Sequence, residues 1–453
     1  MINDLSKLIS FESVLDKSEP NAPYGRGIAS SLSFMLDRAK EYGLQTVNKY
    51  NYGYCQFNAN NERAEIVSAL CHLDVVPAGD LHKWNTNPFE LNIKDGIMYG
   101  RGVADNKGAA VAVLHALKKL KQNKVNLKRH ARLIFGCSEE TDMSCIKAYV
   151  KNEVMPICSF VPDADFPIIN SEKGIIQFDI EIDIKNLSAS IEIEGGLRAN
   201  MIPEMCKILV KNDKMHNKLN ERLLNNLNQS NDDCELSRQP DGNFVVSCKG
   251  VSGHAMAPHK GVNAILKAFE WIYKNLSLDS VDIFLKLHSL FTDDDLKRDV
   301  GLKQECPDSG TLTLNPGIVK IKGSKLCLTV DARLPKTVNE SEFIKILRKG
   351  FEKVELQGAL INVINYKPNL YLDSKNPLIS TLLSIYTKHT GLPGVLIKSG
   401  GGTYARELKN AVAFGPRFVG VKTDIHSPNE QYPESDFFKL VDIYYDAFIQ
   451  LCS

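Results

Sequence analysis

The sequence predicts an α/β protein in which a central mixed sheet has helices on both faces and is interrupted by a separate α+β domain. Apolar stretches of strand length alternate with helical patterns in residues 1–173, as in an open α/β sheet. Residues 174–372 have another texture, with apolar and polar positions alternating as in an antiparallel sheet with one exposed face. Residues 373–453 return to the first style, so the middle domain is predicted to be an insertion.

The first predicted elements are a helix and a strand that leads to a histidine. The apolar face of the helix consists of Ile28, Leu32, Met35, Leu36 and Ala39. The apolar run Ile66–Cys71 predicts a buried strand that ends at His72. Because side chains alternate along a strand, His72 and Asp74 should point to the same side. A carboxylate in that position commonly fixes the tautomer of a metal-binding imidazole.

A glycine-rich turn leads into the second predicted helix. Asp95-Gly96 indicates a hairpin, and the segment Tyr99–Gly108 then carries Asp105 at the position of a helix N-cap. The apolar face of the helix that follows consists of Ala110, Val113, Leu114, Leu117 and Leu120.

Two further apolar strands end at acidic residues. Arg132–Cys137 runs into Glu139 and Glu140, and Ile157–Val161 runs into Asp163. Open α/β sheets bind ligands beyond the carboxyl ends of their strands. Since three strands end at residues of metal-binding type, a site is predicted at this edge of the sheet.

The insertion is predicted to combine antiparallel strands with helices. Its strands are expected at Ile176–Ile184, Ile191–Glu194, Phe244–Cys248, Thr311–Val319 and Leu326–Asp331, and its helices at Asn263–Ile272 and Glu342–Phe351. Residues 225–233 are polar and are predicted to form a surface loop. The closing segment is expected to contain the helix Leu378–Tyr386, the strand Ala411–Phe414 and a final helix.

Composition excludes several classes of protein. The 453 residues include 55 basic and 54 acidic side chains, and without a dense basic block a nucleic-acid partner is not expected. No apolar run has the length of a membrane span, so no membrane partner is expected either. Eleven cysteines without a C-x-x-C pair, and no signal peptide after Met1, predict reduced thiols in a cytoplasmic protein.

Five residues are candidate ligands for two divalent ions: His72, Asp105, Glu140, Asp163 and His426. Their oxygen and imidazole donors, with one water, suit Zn²⁺, Mn²⁺ or Co²⁺. If Asp105 bridges the ions, two dications outweigh three carboxylates, which favours hydroxide over water. Glu139, next to a ligand, is then the expected general base.

Each of these residues also has an ordinary structural interpretation. Asp105 can be only a helix cap, Glu139 and Glu140 a solvated helix start, and Asp163 a turn residue after proline. His426 can be a loop histidine. Each alternative is reasonable alone, but the common placement of these residues at strand ends favours the metal site.

Five motifs occur in order along the chain: His72-Leu-Asp-Val-Val-Pro-Ala-Gly, Gly100-Arg-Gly-Val-Ala-Asp-Asn-Lys-Gly108, Ser138-Glu-Glu-Thr141, Pro162-Asp-Ala-Asp-Phe-Pro167 and His426-Ser-Pro-Asn-Glu430. They resemble the motifs of co-catalytic di-metal peptidases, the family that includes aminoacylase, carboxypeptidase G and bacterial dipeptidases. The Pro162–Pro167 motif and the long insertion are most similar to the dipeptidase V branch, which contains Xaa-His dipeptidases and manganese-dependent dipeptidases.

The resemblance implies roles for the residues of these motifs. Asp74 would orient His72, and Glu139 would be the base. One ion would be held by His72, Asp105 and Asp163, and the other by Asp105, Glu140 and His426.

The inserted domain would act as a lid that contributes substrate-binding residues. The segments Gly195–Pro203 and Ser252–Pro258 resemble family lid motifs and imply that Asn200 and His254 stabilise an oxyanion. Arg333 would grip a substrate carboxylate, although an ordinary ion pair is its structural alternative.

The chain departs from the family pattern at two places. Leu81-His82-Lys83 precedes Trp84 where the family usually has Ala-Gly-Asp-Gly, and Asp142 follows the Glu-Glu-Thr motif in place of glycine. Neither change removes an expected ligand.

The function implied by the resemblance is that of a cytoplasmic metallo-dipeptidase, a metal-dependent protease with two divalent ions and Zn²⁺ as the first choice. A metal-bridging hydroxide activated by Glu139 would cleave dipeptides with free amino and carboxyl ends. The alternative within the same chemistry is an N-acyl amino acid deacylase. Because the insertion is large for one domain, His254 is expected to serve its own chain in an active monomer.

Two rival functions belong to other classes. A non-catalytic binding protein with this fold would not need all five ligands and Glu139. A two-metal phosphoesterase would need a basic phosphate clamp, and none accompanies the ligands in the sequence.

Overall fold

The computed structural model describes residues 1–212, 223–224, 233–278 and 280–453. The chain divides into two compact units. The first unit comprises Met1–Ser171, Tyr371–Lys398 and Gly402–Ser453, and the second comprises Glu172–Leu370 and Ser399–Gly401.

The helices of the described residues are α1 (Ile2–Ile9), α2 (Arg26–Glu41), α3 (Lys107–Gln122), α4 (Ser144–Asn152), α5 (Lys185–Ser188), α6 (Ala264–Asn275), α7 (Asp282–Thr292), α8 (Asp294–Val300), α9 (Glu340–Lys353), α10 (Pro377–Thr390) and α11 (Glu434–Cys452).

The strands are β1 (Gln45–Asn48), β2 (Gly53–Phe57), β3 (Ile66–His72), β4 (Asn92–Lys94), β5 (Ile97–Tyr99), β6 (His130–Gly136), β7 (Cys158–Val161), β8 (Ala164–Asp165), β9 (Ile168–Glu172), β10 (Gly174–Asp183), β11 (Ile191–Gly195), β12 (Met201–Ile202), β13 (Met205–Val210), β14 (Cys234–Arg238), β15 (Phe244–Lys249), β16 (Gly253–His254), β17 (Glu305–Cys306), β18 (Gly310–Thr311), β19 (Thr313–Lys322), β20 (Lys325–Leu334), β21 (Leu360–Lys367), β22 (Leu370–Tyr371), β23 (Leu396–Ser399), β24 (Ala411–Ala413), β25 (Pro416–Arg417) and β26 (Gln431–Pro433).

The first unit is built on a mixed sheet with the strand order β1-β2-β6-β3-β7-β24-β9-β22, in which β23 also pairs with β9. Strand β3 runs parallel to β6 and β7, whereas β2 is antiparallel to β6 and β24 is antiparallel to β9. The predicted α/β class with a mixed sheet is therefore confirmed. Because β3, β6 and β7 point the same way, their carboxyl ends lie at one edge of the sheet.

Helices bury the centre of this sheet. Strands β3 and β6 are buried at every position, which explains why most of their residues are apolar on both faces. Helices α3 and α11 pack against each other and against β3. All five apolar residues predicted for one face of α3 are buried, and so are Ala109, Val111, Ala112 and Ala116, so the helix is buried on more sides than its periodicity predicts.

The second unit is an antiparallel sheet with helices on one side. Its strand order is β14-β15-β13-β11-β19-β20-β10-β21. Burial alternates along β10 and β11, and the buried residues form one core with the apolar sides of α6, α7 and α9. The alternation in the sequence therefore reflects one packed face and one exposed face.

One predicted cap is displaced in the structure. Helix α3 begins at Lys107 and is preceded by Asn106 at the N-cap position, so the interpretation of Asp105 as the N-cap is wrong. Asp105 lies one residue before the cap, and its side chain is free to contact the histidines described below.

The cysteine prediction also needs correction. Cys234 and Cys248 form a disulfide between β14 and β15, whereas reduced thiols were expected throughout. The two residues are directly opposite each other in an antiparallel pair, with Cα atoms 4.1 Å apart.

Two other predictions concern a surface loop and the absence of a membrane span. The predicted polar loop at 225–233 lies outside the described residues except for its last residue. Among the helices that the structure describes, none has the length and apolar character needed to cross a bilayer.

Candidate metal centre

His72 is the last residue of β3, and its ring is held by the main chain that follows. Nδ1 of His72 lies 2.8 Å from the carbonyl oxygen of Asp74 and 3.6 Å from an oxygen of the Asp74 carboxylate. In the neutral ring, Nδ1 therefore carries the proton and Nε2 is left as the acceptor. This is the tautomer that a metal site needs, and the carbonyl is the closer partner that fixes it.

The carboxylate of Asp74 holds the turn after β6. It accepts hydrogen bonds from the main-chain amides of Glu139, at 3.2 Å, and of Glu140, at 3.0 Å. The Asp74 side chain is almost completely buried, so these amides compensate a charge that would otherwise be costly to bury. Asp74 thereby links the ends of β3 and β6.

Asp105 lies between two imidazoles. Its Oδ1 is 2.9 Å from Nε2 of His72, and its Oδ2 is 3.1 Å from Nε2 of His426. Each carboxylate oxygen thus faces a different histidine, as the expected bridging role of Asp105 requires.

The remaining candidate ligands lie on either side of Asp105. Oε1 of Glu140 is 3.1 Å from Nε2 of His426, and Oδ1 of Asp163 is 3.6 Å from Nε2 of His72. Asp163 also accepts a hydrogen bond of 3.2 Å from the side-chain amide of Asn106. The carboxylates are largely buried, whereas the His426 side chain is 51% exposed.

The structure brings all five predicted ligands together with Glu139. Donor atoms within 4.8 Å of one another occur in two groups that share His72: one adds Asp105 and Glu140, and the other adds Glu139 and Asp163. The carboxylate of Glu139, predicted from sequence to be a base, therefore lies beside the donors.

The charges of the cluster shift the pKa values of its members. Burial raises the pKa of Glu140 to about 7, and the charge of Asp105 adds to this effect. Hydrogen bonds to Asp105 and Glu140 raise the pKa of His426 to about 11. Burial opposes the charged form of His72, but Asp163 and Asp105 outweigh it and raise its pKa as well. The cluster therefore attracts positive charge strongly.

This donor set fits a pair of divalent cations. Three carboxylates and two imidazoles lie within a few ångströms, and buried carboxylates are stable together only when positive charge compensates them. The donors are oxygen and nitrogen atoms, and neither group contains a cysteine. Such a set suits Zn²⁺, Mn²⁺ or Co²⁺ and does not suit an iron–sulfur cluster.

Sequence reasoning missed the contribution of Glu430 to this site. Its buried carboxylate accepts main-chain amides of Gly102, Ala104 and Asp105, each at 3.0 Å, and an Arg101 guanidinium N–H at 2.7 Å. Glu430 therefore fixes the turn that presents Asp105. Its only sequence signal is its place four residues after His426 in the last motif.

The second unit carries the predicted oxyanion residues on adjacent segments. Asn200 precedes β12 and His254 ends β16, and these two short strands pair with Met201 opposite His254. Nδ1 of His254 accepts the amide of Met256 at 3.0 Å. The neutral ring of His254 therefore carries its proton on Nε2 and can donate a hydrogen bond.

Arg333 forms a buried ion pair within the second unit. Its guanidinium donates to both carboxylate oxygens of Asp331, at 2.6 and 3.1 Å, and to the carbonyl of Gly400 at 3.0 Å. Both side chains of the pair are nearly inaccessible. The ion pair that the sequence allowed as the ordinary role of Arg333 is therefore present, with Asp331 as the partner. To bind a substrate carboxylate as well, Arg333 would have to use another N–H of the same guanidinium.

Comparison with known sequences gives a match over most of the chain. Residues 70–450 match peptidase family M20/M25/M40. A Bacillus subtilis protein named putative dipeptidase YtjP is 32% identical over 464 residues, covering 100% of this chain and 97% of that protein. A Staphylococcus epidermidis protein named putative dipeptidase is 31% identical over 465 residues, with the same coverage of 100% and 97%.

Solved structures with a similar fold cover the chain end to end. The M20 family metallo-carboxypeptidase Sso-CP2 from Sulfolobus solfataricus has a TM-score of 0.59 at 17% identity, covering 99% of this chain and 98% of that chain. The dipeptidase Dug1p from Saccharomyces cerevisiae has a TM-score of 0.57 at 14% identity, covering 99% and 95%. At such identities the likeness is one of fold.

Proposed function

Because the chain belongs to peptidase family M20/M25/M40, and is a peptide bond hydrolase of that family, we propose that it is a metal-dependent dipeptidase. Its substrates would be dipeptides with free amino and carboxyl ends. The observation that carries the proposal is the convergence of His72, Asp105, Glu140, Asp163 and His426 at one edge of the sheet. The names of its full-length relatives support the choice of dipeptides.

The metal site would hold two divalent ions, with Zn²⁺ as the first choice and Mn²⁺ or Co²⁺ as alternatives. We assign one ion to His72, Asp105 and Asp163, and the other to Asp105, Glu140 and His426. When bound, the ion pair supplies Lewis acidity toward the scissile carbonyl and lowers the pKa of the attacking water. The protein supplies the fixed tautomer of His72 and the buried carboxylates that retain the ions.

Glu139 would move the proton of the reaction. Its carboxylate takes a proton from the attacking water and returns it to the leaving amine, the usual work of a general acid–base residue. The hydrogen bond from its amide to Asp74 keeps the Glu139 main chain in place. The position of its carboxylate, within 4.8 Å of the donor atoms of His72 and Asp163, supports its role as the base.

His254 and Asn200 would stabilise negative charge on the carbonyl oxygen. The Nε2–H of His254 is a suitable donor because Nδ1 already accepts the Met256 amide. Arg333 would bind the substrate carboxylate, with Asp331 holding its guanidinium in a fixed orientation. A protein that needs both substrate ends would then prefer dipeptides to longer peptides.

The alternative within the same chemistry is an N-acyl amino acid deacylase. It would share the metal site, Glu139 and carboxylate recognition, but its substrates lack a free α-amine. We also propose a cytoplasmic location, supported by the scattered cysteines without a C-x-x-C pair, and an active monomer, supported by the size of the insertion.

Hydrolysis by the purified protein tests the proposal. A panel would contain dipeptides, dipeptide amides, N-acetyl amino acids and a phosphomonoester, each assayed before and after removal of metal with a chelator. We expect hydrolysis of dipeptides only, loss after chelation, and recovery with Zn²⁺, Mn²⁺ or Co²⁺. Faster cleavage of N-acetyl amino acids than of dipeptides would favour the deacylase, and activity resistant to chelation would contradict both.

A further inference from the structure

The segment that carries Asn200 accepts hydrogen bonds from a buried asparagine on another strand. Asn200 occupies a turn between β11 and β12, and its carbonyl accepts the amide of Ala255 at 3.0 Å. With the pairing of Met201 and His254, this bond ties the Asn200 turn to the His254 segment. The Asn200 turn and the His254 segment are therefore directly connected.

Asn315 on β19 makes that attachment. Its side-chain amide donates to the carbonyl of Ala199 at 3.1 Å and to the carbonyl of Met201 at 2.8 Å. These carbonyls belong to the residues on either side of Asn200. Asn315 is 1% exposed. Water therefore cannot replace either carbonyl as an acceptor for the side-chain N–H groups of Asn315.

A second asparagine fixes the orientation of the Asn315 amide. The side-chain nitrogen of Asn263 donates to Oδ1 of Asn315 at 3.1 Å and to the carbonyl of Pro316 at 2.8 Å. Oδ1 of Asn263 accepts the amides of Ile265 and Leu266 at the start of α6. Since Oδ1 of Asn315 is an acceptor, its nitrogen must be the group that faces the Asn200 turn.

The strand that carries Asn315 is shaped for close approach of this turn. The register between β19 and β20 shifts between Pro316 and Ile318, which marks a β-bulge at Gly317. A Cβ at Gly317 would lie 2.3 Å from the carbonyl oxygen of Ala199. Glycine therefore allows the main chain at Ala199 to reach the donors of Asn315.

We propose that Asn315 is a positioning residue for oxyanion stabilisation, acting through the turn that carries Asn200. The proposal rests on the oxyanion role proposed above for Asn200. Loss of the two Asn315 donors would leave the turn attached at fewer points, and misplaced donors stabilise a transition state poorly. Substrate binding in the ground state would change much less.

The test compares kcat and KM of Asn315→Leu and Asn263→Asp with those of the unaltered protein. Asn315→Leu removes both donors at similar size. Asn263→Asp keeps an acceptor for the start of α6, since aspartate is as good an N-cap as asparagine, and loses the donor to Asn315 and to the Pro316 carbonyl. We expect kcat for the best dipeptide of the panel to fall about ten- to a hundredfold, with KM changed less than about threefold.

Asn339→Ala is the matched control for lost stability. Asn339 caps α9 in the same unit by accepting the amide of Glu342, and none of the hydrogen bonds described above for the Asn200 turn involves it. Its loss should lower the unfolding temperature without lowering kcat. If Asn315→Leu does not fold, Asn263→Asp alone decides, because its cap is preserved.

A double-mutant cycle with Asn200→Ala separates this inference from the role of Asn200 itself. If Asn315 acts through Asn200, Asn315→Leu should lower kcat of the Asn200→Ala protein by less than about twofold. Independent, multiplying effects, or full kcat in both Asn315→Leu and Asn263→Asp, would overturn the positioning role while leaving the oxyanion role of Asn200 intact. Full kcat in Asn200→Ala would refute the oxyanion role and, with it, this inference.

Discussion

The adjacent residues Glu139 and Glu140 have different surroundings, although both follow β6. Oε1 of Glu140 faces His426, whereas the Glu139 carboxylate lies with His72 and Asp163. Both main-chain amides are held by Asp74, so exchanging one side chain need not move the other. The two positions can therefore be tested separately.

We expect the isosteric substitutions Glu139→Gln and Glu140→Gln to reduce activity for different reasons. Glu139→Gln cannot accept a proton, so kcat should fall about 10²–10⁴-fold while metal content and KM stay near those of the unaltered protein. Glu140→Gln should instead lose metal and recover partly when metal is in excess. Metal analysis and kcat of the purified variants measure both effects. A metal deficit in Glu139→Gln with full occupancy in Glu140→Gln would show that the roles are exchanged.

Glu430 is a second residue whose contribution can be measured. Neutral Gln at this position would leave the buried Arg101 without its charged partner, and breaking a buried ion pair costs about 3–5 kcal/mol. We therefore expect Glu430→Gln to lower the free energy of unfolding by that amount in denaturant titrations. It should also weaken metal binding, because the single remaining oxygen cannot serve both Arg101 with Gly102 and the amides of Ala104 and Asp105.

The control for this prediction is an exposed ion pair. Asp442 pairs with Lys119 at 2.6 Å, but both side chains are well exposed, and such pairs contribute about 0–1 kcal/mol. Asp442→Asn should thus be nearly neutral. Equal stability losses in Glu430→Gln and Asp442→Asn would remove the special role assigned to Glu430.

At the scale of elements, the sequence predicted those parts whose pattern is local. Strands β3, β6 and β7 are buried and mostly apolar, and α2 and α3 repeat their apolar residues with helical spacing, so their positions follow from neighbouring residues. Strand β1 has the sequence Gln45-Thr-Val-Asn48 and only partial burial, and it carries no comparable signal. Its pairing with β2 decides its structure, and pairing is not a local property.

The same reasoning explains what could be predicted of the site. His72, Glu140 and Asp163 follow apolar strands, so their meeting at one edge could be expected from the order of elements. The partners of Glu430 lie more than 320 positions away along the chain, and no spacing rule connects them. The carbonyl partner of the His72 ring was also missed, because main-chain acceptors are invisible in a sequence.

Helix α1 is attached to the first unit by its buried apolar residues Leu5, Leu8 and Ile9 and by one buried carboxylate. Asp4 pairs with Arg38 of α2 at 2.8 Å and accepts hydrogen bonds from Tyr42, at 2.6 Å, and from His115 of α3, at 2.8 Å. Burial alone would raise the pKa of Asp4, but these partners outweigh it and lower the pKa below 3.8. One side chain thus connects three helices.

The lowered pKa of Asp4 predicts how its contribution depends on pH. A carboxylate with a depressed folded pKa stabilises the protein above its unfolded pKa, and this stability is lost as the pH falls through the folded value. We expect Asp4→Asn to cost about 1–3 kcal/mol at pH 7 and progressively less below about pH 4. Denaturant titrations at several pH values measure this difference.

Asp37→Asn is the control, since Asp37 is an exposed residue of the same helix α2 as Arg38. Its effect should stay within about 0.5 kcal/mol at every pH. A cost of Asp4→Asn that is the same at pH 7 and pH 3 would show that the charge of Asp4 is not what stabilises the contact.

At the scale of the whole molecule, the two units divide the proposed chemistry. The candidate ligands and Glu139 belong to the first unit, whereas Asn200, His254 and Arg333 belong to the second. Since both units are parts of one chain, each chain contains one complete set of these residues. If His254 acts in the chain that contains it, a monomer can be active. If His254 acts on a second chain, activity requires a dimer.

We expect His254 to serve the chain that contains it, and mixing two inactive variants tests this directly. His254→Ala lacks the oxyanion donor, and Glu139→Gln lacks the base. If His254 acted on a partner subunit, a mixed dimer would contain one site with both Glu139 and His254 intact, and mixing would restore part of the activity. With His254 acting in its own chain, the mixture should remain as inactive as its components.

The mixing experiment needs proof that chains can exchange. The two variants should therefore also be refolded together from denaturant. Sedimentation should be measured over the protein concentrations used in the assay to determine the oligomeric state. A specific activity that is independent of protein concentration, together with no recovery in the co-refolded mixture, would support an active monomer. Recovery toward a quarter to a half of full activity, rising with dimer formation, would show that the site is completed by a second chain.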